Sequence, residues 1–504
     1  MQQVHINPHS KEIAIVDFSV LSLSSAIASG KLTSEALVKE CLARIARLNP
    51  IVNAFSQVFE EQALDEARAC DREAAEGRFR GPLHGIPMGV KDLFFVEGQL
   101  CQRGSRAYKD FAPKATAPIV QRMIDAGSII IGKTTTTEMG WSGSGFSEFY
   151  GPTRNPWDPK LTSGGSSSGS GAALAARMVP FTLGSDGGGS VRIPAAFCGV
   201  FAMKGSLGRV PAWPWSATEM LSHAGPMSVS AKDSAFLFNI AKGPDPRDHQ
   251  ALPDDEADYT ETRSTKSLRI GFAPSLFGFK VAPEIDRVVR EAVDALTQAL
   301  SIDVRSVSPD WEDPIRIFET LWVAGRGVAY GSQSDLSDFG SGFRALVEAS
   351  AGYNLNDYLS AAKARAEFAG RVHALFEDID LLLLPTIPVE PFSADREAPE
   401  GFQSPSEVLA WTGWTPFTYP FNLSGNPAAS LPCGLTVNGL PVGLQVVGRR
   451  HADALVMAFC QQAEDHIFKN NNPPLVVAGD KMGWGTPSKS TVEMSSWSSI
   501  EDRS

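Results

Sequence analysis

The stretch 181-FTLGSDGGGSVRIPAAFCG-199 carries an apolar, strand-like run into Gly187, Gly188 and Gly189, then into Ser190 and a buried-looking segment. Glycine loses more conformational freedom on folding than any other residue, so a run of it needs a reason: a sharp turn, or a close approach to the backbone. Successive glycine N–H groups beside a serine form a concave nest of donors, which suits an oxyanion. Upstream, 167-SSGSGAALAARMV-179 reads as a helix of small residues and 180-PFTLGS-185 as a short strand. The loop 163-SGGSSSGSG-171 feeds that helix. Linkers of this composition do not normally bracket a short helix and then enter an apolar segment.

Farther out, helical and strand-like patterns alternate. In 33-TSEALVKECLARIARLNP-50 the residues Leu37, Val38, Cys41, Leu42, Ile45 and Leu48 make one apolar face, with Thr33 or Ser34 as cap and Asn49-Pro50 as stop. A second amphipathic stretch covers 60–77, and 85-GIPMGVKDLFF-95 is strand-like with Lys91 inside it. Helix 116–127 feeds strand 128–134, helix 281–302 lies between two strands, and helix 356–378 leads to 381-LLLLPT-386. The segment 435-LTVNGLPVGLQVVG-448 reads as a hairpin across Asn438-Gly439. This alternation argues an α/β class with a layered sheet.

The chain has 504 residues, a net charge of −12 and 43% hydrophobic residues. A nucleic-acid binder would show a basic face instead. The N-terminus lacks the basic and apolar regions of a signal peptide, and no apolar run reaches membrane-spanning length. A cytoplasmic protein with no membrane and no nucleic-acid partner is therefore expected. The six scattered cysteines read as reduced, buried thiols, and no histidine spacing indicates a metal.

Two familiar patterns bring structural requirements of their own. Residues 127-GSIIIGKT-134 satisfy the phosphate-loop spacing, but that loop must follow a strand and open a helix, and here an Ile-rich strand occupies it. Residues 165-GSSSG-169 match the nucleophile elbow of α/β-hydrolase esterases, with Ser167 as nucleophile. The preceding 155-NPWDPKLTSGG-165 is loop-like where a strand is required, so this esterase reading stands as an alternative. A lysine buried in an apolar strand can lose its proton and act as a base, and Lys91 is so placed.

The block 164-GGSSSGSGAALAARMVPFTLGSDGGGSVRIPAAFCGVFAMKGSLGRVP-211 closely resembles the signature block of the amidase signature family. The resemblance extends to 85-GIPMGVKDLF-94, 132-GKTTTTEMG-140, 153-TRNPWDP-159, 225-GPM-227 and 425-GNPAASLPCG-434, and so spans nearly the whole chain. It implies a large mixed β-sheet covered by helices on both faces. The catalytic domain is then expected at 81–475, after an N-terminal helical segment at 1–80; composition makes 245–267 a polar crossover and the Gly/Pro/Ser-rich 476–504 a disordered tail. Lys91, Ser166 and Ser190 fall on the family's lysine–cis-serine–serine triad, the serines 24 residues apart. Ser190 is then the nucleophile, with an oxyanion hole from the N–H groups of Gly187, Gly188, Gly189 and Ser190. Ser167, Asp186 and Arg192 are supporting residues, and no cofactor or metal is implied.

The expected reaction is hydrolysis of an aryl or hydrophobic amide, or of a carbamate, in an aromatic and neutral pocket that includes Gly140, Trp141 and Phe146. The other family alternative is the triad-bearing subunit of a tRNA-dependent amidotransferase, which works with partner chains. A monomer or homodimer is expected for a free-standing enzyme. The chain departs from the family pattern at Gly188, Ser168 and 202-AMKGS-206, none of them in the triad.

Overall fold

A computed structural model describes residues 18–333, 335–467, 473 and 474. The tail expected to be disordered and the first 17 residues lie outside these. The strands are β1 (Phe55–Val58), β2 (Pro87–Lys91), β3 (Ile129–Thr134), β4 (Arg154–Asn155), β5 (Asp158–Thr162), β6 (Phe181–Asp186) and β7 (Phe201–Lys204). They continue as β8 (His223–Ser228), β9 (Ile270–Phe272), β10 (Val304–Ser306), β11 (Leu381–Pro385), β12 (Ala428–Leu435) and β13 (Pro441–Gly448). Eleven of them form one mixed sheet in the order β1-β3-β2-β6-β8-β7-β12-β13-β11-β9-β10, while β4 and β5 pair separately. Within the large sheet β3, β2 and β6 run parallel, as do β11, β9 and β10. The strands between are antiparallel.

Both faces are covered, as strand β11 makes plain. Successive strand residues point to opposite faces. Leu381 and Leu383 join an apolar cluster with the helices Ser34–Val52, Pro283–Leu300 and Asp453–Ile467. Leu382 and Leu384 join a second cluster with the helices Ile315–Tyr330, Ser341–Ala349 and Leu355–Asp378. A run of apolar residues without alternation is what burial on both faces requires.

Most of the expected elements form, with shifted ends. Thr33 caps the helix Ser34–Val52, its hydroxyl accepting from the Ala36 N–H at 3.1 Å. The helix passes through Pro50 and stops at Asn53, a left-handed residue (φ 55°) whose N–H donates to the Asn49 carbonyl at 2.7 Å. A proline in the last turn forfeits one bond and leaves the rest of the ladder intact, so Asn49-Pro50 is not the stop. The phosphate-loop pattern lies in β3, a fully buried strand, and its Lys133 donates to the Phe94 carbonyl at 2.7 Å. The six cysteines are free and buried. Among the described residues no helix is long and apolar enough to cross a membrane.

Candidate active site

The parallel pairing of β2 with β6 matches Val90 to Leu183, which brings the C-terminal ends of the two strands together. Open α/β sheets place ligands at such ends. Lys91 ends β2 and is fully buried. Its Nζ donates to Ser166 Oγ at 2.9 Å, Ser167 Oγ at 2.9 Å and Ser185 Oγ at 3.0 Å. Burial drives the Lys91 amine well below its usual pKa, against the pull of the Asp186 charge. The Gly165–Ser166 peptide is cis. Ser167 N–H donates to the Ser190 carbonyl at 3.1 Å, which ties the Gly/Ser loop to the triple-glycine turn. Lys91, Ser166 and Ser190 thus lie on three adjoining pieces of chain, the two serines 2% and 5% exposed.

The turn after β6 is organised by Asp186. Its carboxylate accepts from the Gly189 N–H at 2.7 Å, the Val191 N–H at 3.3 Å and Arg192 Nε and Nη2, both at 3.0 Å. Burial alone would raise the Asp186 carboxyl, but the Arg192 charge and hydrogen bonds hold it well below the usual carboxylate range. Arg192 also donates to the Thr418 carbonyl at 2.9 Å and to Gln445 Oε1 at 2.8 Å. The expected donor set therefore contracts. Gly189 N–H is spent on Asp186, so among the described residues Gly187, Gly188 and Ser190 remain as turn donors with no protein acceptor.

The glycines are also required by close approach. A Cβ on Gly188 would lie 2.8 Å from Phe318 Cζ and 3.0 Å from Trp411 Cη2. One on Gly187 would lie 2.9 Å from the Trp322 ring. These aromatics form one packed group, with Phe318 5.0 Å from both Trp322 and Tyr419, centroid to centroid.

The sequence model of the amidase family matches residues 36–457. The chain belongs to the amidase signature family. It is 35% identical over 467 residues to a glutamyl-tRNA(Gln) amidotransferase subunit of Chloroflexus aurantiacus, covering 87% of this chain and 94% of that one. It is 33% identical over 468 residues to an acylamidase of Rhodococcus erythropolis, covering 87% and 93%. A crystal structure of a bacterial aryl acylamidase of the family superposes with a TM-score of 0.81 at 28% identity, covering 89% and 96%.

In this amidase the residues expected to line the pocket take different places. Gly140 adjoins Ser166, for a Cβ there would lie 3.4 Å from Ser166 Oγ. Trp141 is buried in the second cluster, its carbonyl accepting from Trp322 Nε1 at 3.3 Å. Phe146 is half-buried and outside the cavity that opens beside Ser185. Trp213, Trp215 and Tyr330 line that cavity, which has a volume of about 150 Å³. It also contains Arg103 and Arg326, so the expectation of a neutral pocket does not hold there. The sequence offered no sign of either arginine. Arg103 sits in a left-handed turn (φ 54°), and Arg326 lies on a helix whose Gly325 and Gly327 obscured the apolar period.

The strand that the esterase elbow requires is absent before Ser167, which follows a loop. Its hydroxyl partners are Lys91 and Ser185, with no histidine among the described residues. His223 lines the cavity with its Nδ1 against the Leu221 carbonyl at 2.8 Å, and burial drives its pKa well down.

Proposed function

We propose that this amidase cleaves the C–N bond of an aryl or otherwise hydrophobic amide through an acyl-enzyme on Ser190. The observation that carries the reading is the buried Lys91 amine, ringed by three serine hydroxyls with no carboxylate in ion-pair reach among the described residues. Burial drives such an amine toward its neutral form, and the neutral form acts as a base. Ser190 Oγ bonds to the carbonyl carbon while its proton passes to Ser166, and the Ser166 proton passes to Lys91. The N–H groups of Gly187, Gly188 and Ser190 take the negative oxygen, and such a donor is worth roughly 3–4 kcal/mol in the transition state.

The proton then returns from Lys91 through Ser166 to the departing nitrogen as the C–N bond breaks. Water repeats the sequence on the acyl-enzyme and restores Ser190. An aryl carbamate presents the same carbonyl and falls within the same chemistry. A partner-dependent component of an amidotransferase is the second reading, favoured by the 35% identity to such a protein.

The test is turnover of a p-nitroanilide and an aryl carbamate by the purified chain alone, with alanine at Lys91, Ser166, Ser190 and Ser167. The expected result is turnover without a partner, and a loss of about a thousand-fold or more at each triad position. Full activity in Ser190→Ala with loss in Ser167→Ala would establish the elbow reading instead. No turnover until a partner is added would establish the amidotransferase reading.

A further inference from the structure

Among its described lining residues the cavity that opens beside Ser185 has two cations, Arg103 and Arg326, and no carboxylate. This is unusual in a chain with a net charge of −12. Arg103 is half-buried and Arg326 buried, and an arginine as deep as Arg326 is nearly always paired with a carboxylate, because an unpaired buried charge is costly.

Arg326 is 4% exposed, and among the described residues no carboxylate charge acts on it. Its Nη1 donates to the Trp322 carbonyl one turn back at 3.2 Å, and its guanidinium carbon lies 3.9 Å from the centre of the Trp322 ring. Arg103 is held in a similar way. Its guanidinium lies 4.8–5.4 Å from the rings of Tyr108, Phe95 and Phe111, and its Nε is buried without a hydrogen-bond partner. Both arginines also act electrostatically on Tyr330, which lines the same cavity and is hydrogen-bonded by Arg103. Aromatic faces fix the two guanidiniums without neutralising them, leaving N–H donors for something else.

The cavity comes near Lys91 through Ser185, which lines it and holds the lysine. Leu93 and Met139 line it, two residues past Lys91 and next to Gly140 in sequence. The helix bearing Arg326 is held close to the cavity wall, since a Cβ on Gly325 would lie 1.8 Å from the Ala217 carbonyl oxygen.

We infer that Arg326 and Arg103 form a carboxylate-binding subsite beside Ser185, which holds Lys91, so that the substrate is an amide carrying a carboxylate group. The planar fork of a guanidinium matches a carboxylate in two parallel hydrogen bonds, and Tyr330 adds a hydroxyl. Burial brings the Arg326 pKa down to about 9, which leaves it charged at neutral pH. The inference deepens the proposed function and rests on it for the position of the scissile bond, with the apolar part of the amide on the tryptophan walls.

The test uses binding, so that it does not depend on turnover. Calorimetry compares succinanilic acid, a carboxylate-bearing anilide, with its methyl ester on the Ser190→Ala protein. The acid is expected to bind about 30-fold tighter than the ester, the range of a charge-assisted hydrogen bond. Adding Arg326→Met is expected to bring that ratio close to one, and Arg326→Lys to retain part of it. Arg103→Met provides the same comparison should the Arg326 variant fail to fold by circular dichroism. Equal affinity for acid and ester overturns the inference, as does no detectable binding of the acid at millimolar concentration or an unchanged ratio in the folded arginine variants. A preserved ratio in a protein that hydrolyses no amide would keep the subsite and remove the amidase reading.

Discussion

Lys91 is the residue on which the proposed chemistry turns, and its surroundings decide the direction of its pH dependence. Burial places the amine well below its ordinary value, and Asp186 only partly opposes this. The neutral form is the base, so activity is present above the folded-state pKa and is lost as pH falls through it. The kcat/KM for an anilide should therefore fall on the acid side by about a decade per pH unit, with a midpoint well under the ordinary lysine value of about 10.4. The measurement is a pH–rate profile for the wild type. A midpoint near 10.4 would mean that Lys91 is solvated and charged in the working enzyme. Gly188 shows how a single residue can serve two ends. Its missing Cβ makes room for Phe318 and Trp411, and its N–H remains without a protein acceptor among the described residues.

At the scale of elements, the link between β6 and the helix Arg192–Cys198 is built on one ion pair. Replacing Arg192 with methionine leaves Asp186 buried without its counter-charge, a change that costs about 3–5 kcal/mol. In the wild type the depressed Asp186 carboxyl contributes stability that is fully present above its unfolded pKa of about 3.9 and is lost as pH falls through the folded value. In Arg192→Met the carboxyl is raised instead, so the variant loses stability as pH climbs. The gap between the two proteins should thus be wide near pH 7 and narrower near pH 4, as read by urea unfolding. An equal gap at both would show that Arg192 acts through packing alone. This turn was legible in the sequence because SDGGGS combines residue types with few structural alternatives. Lys91 was legible because a cation in an apolar strand needs a reason. The helices Ile315–Tyr330 and Ser341–Ala349 were not, and with them went Arg326 and the Phe318 and Trp322 rings that press on the glycines. Their glycines break the apolar period, and their purpose shows only when the chain opposite is in place.

At the scale of the molecule, the N-terminal segment is part of the sheet. The helix Ser34–Val52 packs its Leu37, Val38, Ile45 and Leu48 into the same cluster as Ile129 and Ile131 of β3. Strand β1 pairs antiparallel with β3, matching Phe55 to Thr134 and Val58 to Gly132. It is the edge strand, so it is what stands between 129-IIIGKT-134 and solvent. A long apolar strand left at a sheet edge is a template for pairing with another chain. A protein that begins at residue 81 would expose this strand along its length and uncover the apolar face that the first helices bury. It should form large aggregates, while the full chain elutes at a defined size in gel filtration with light scattering. A monodisperse truncated protein with a sharp thermal transition would show that residues 81 onward fold as an independent unit, and the first three helices and β1 would then be an appendage rather than part of the core.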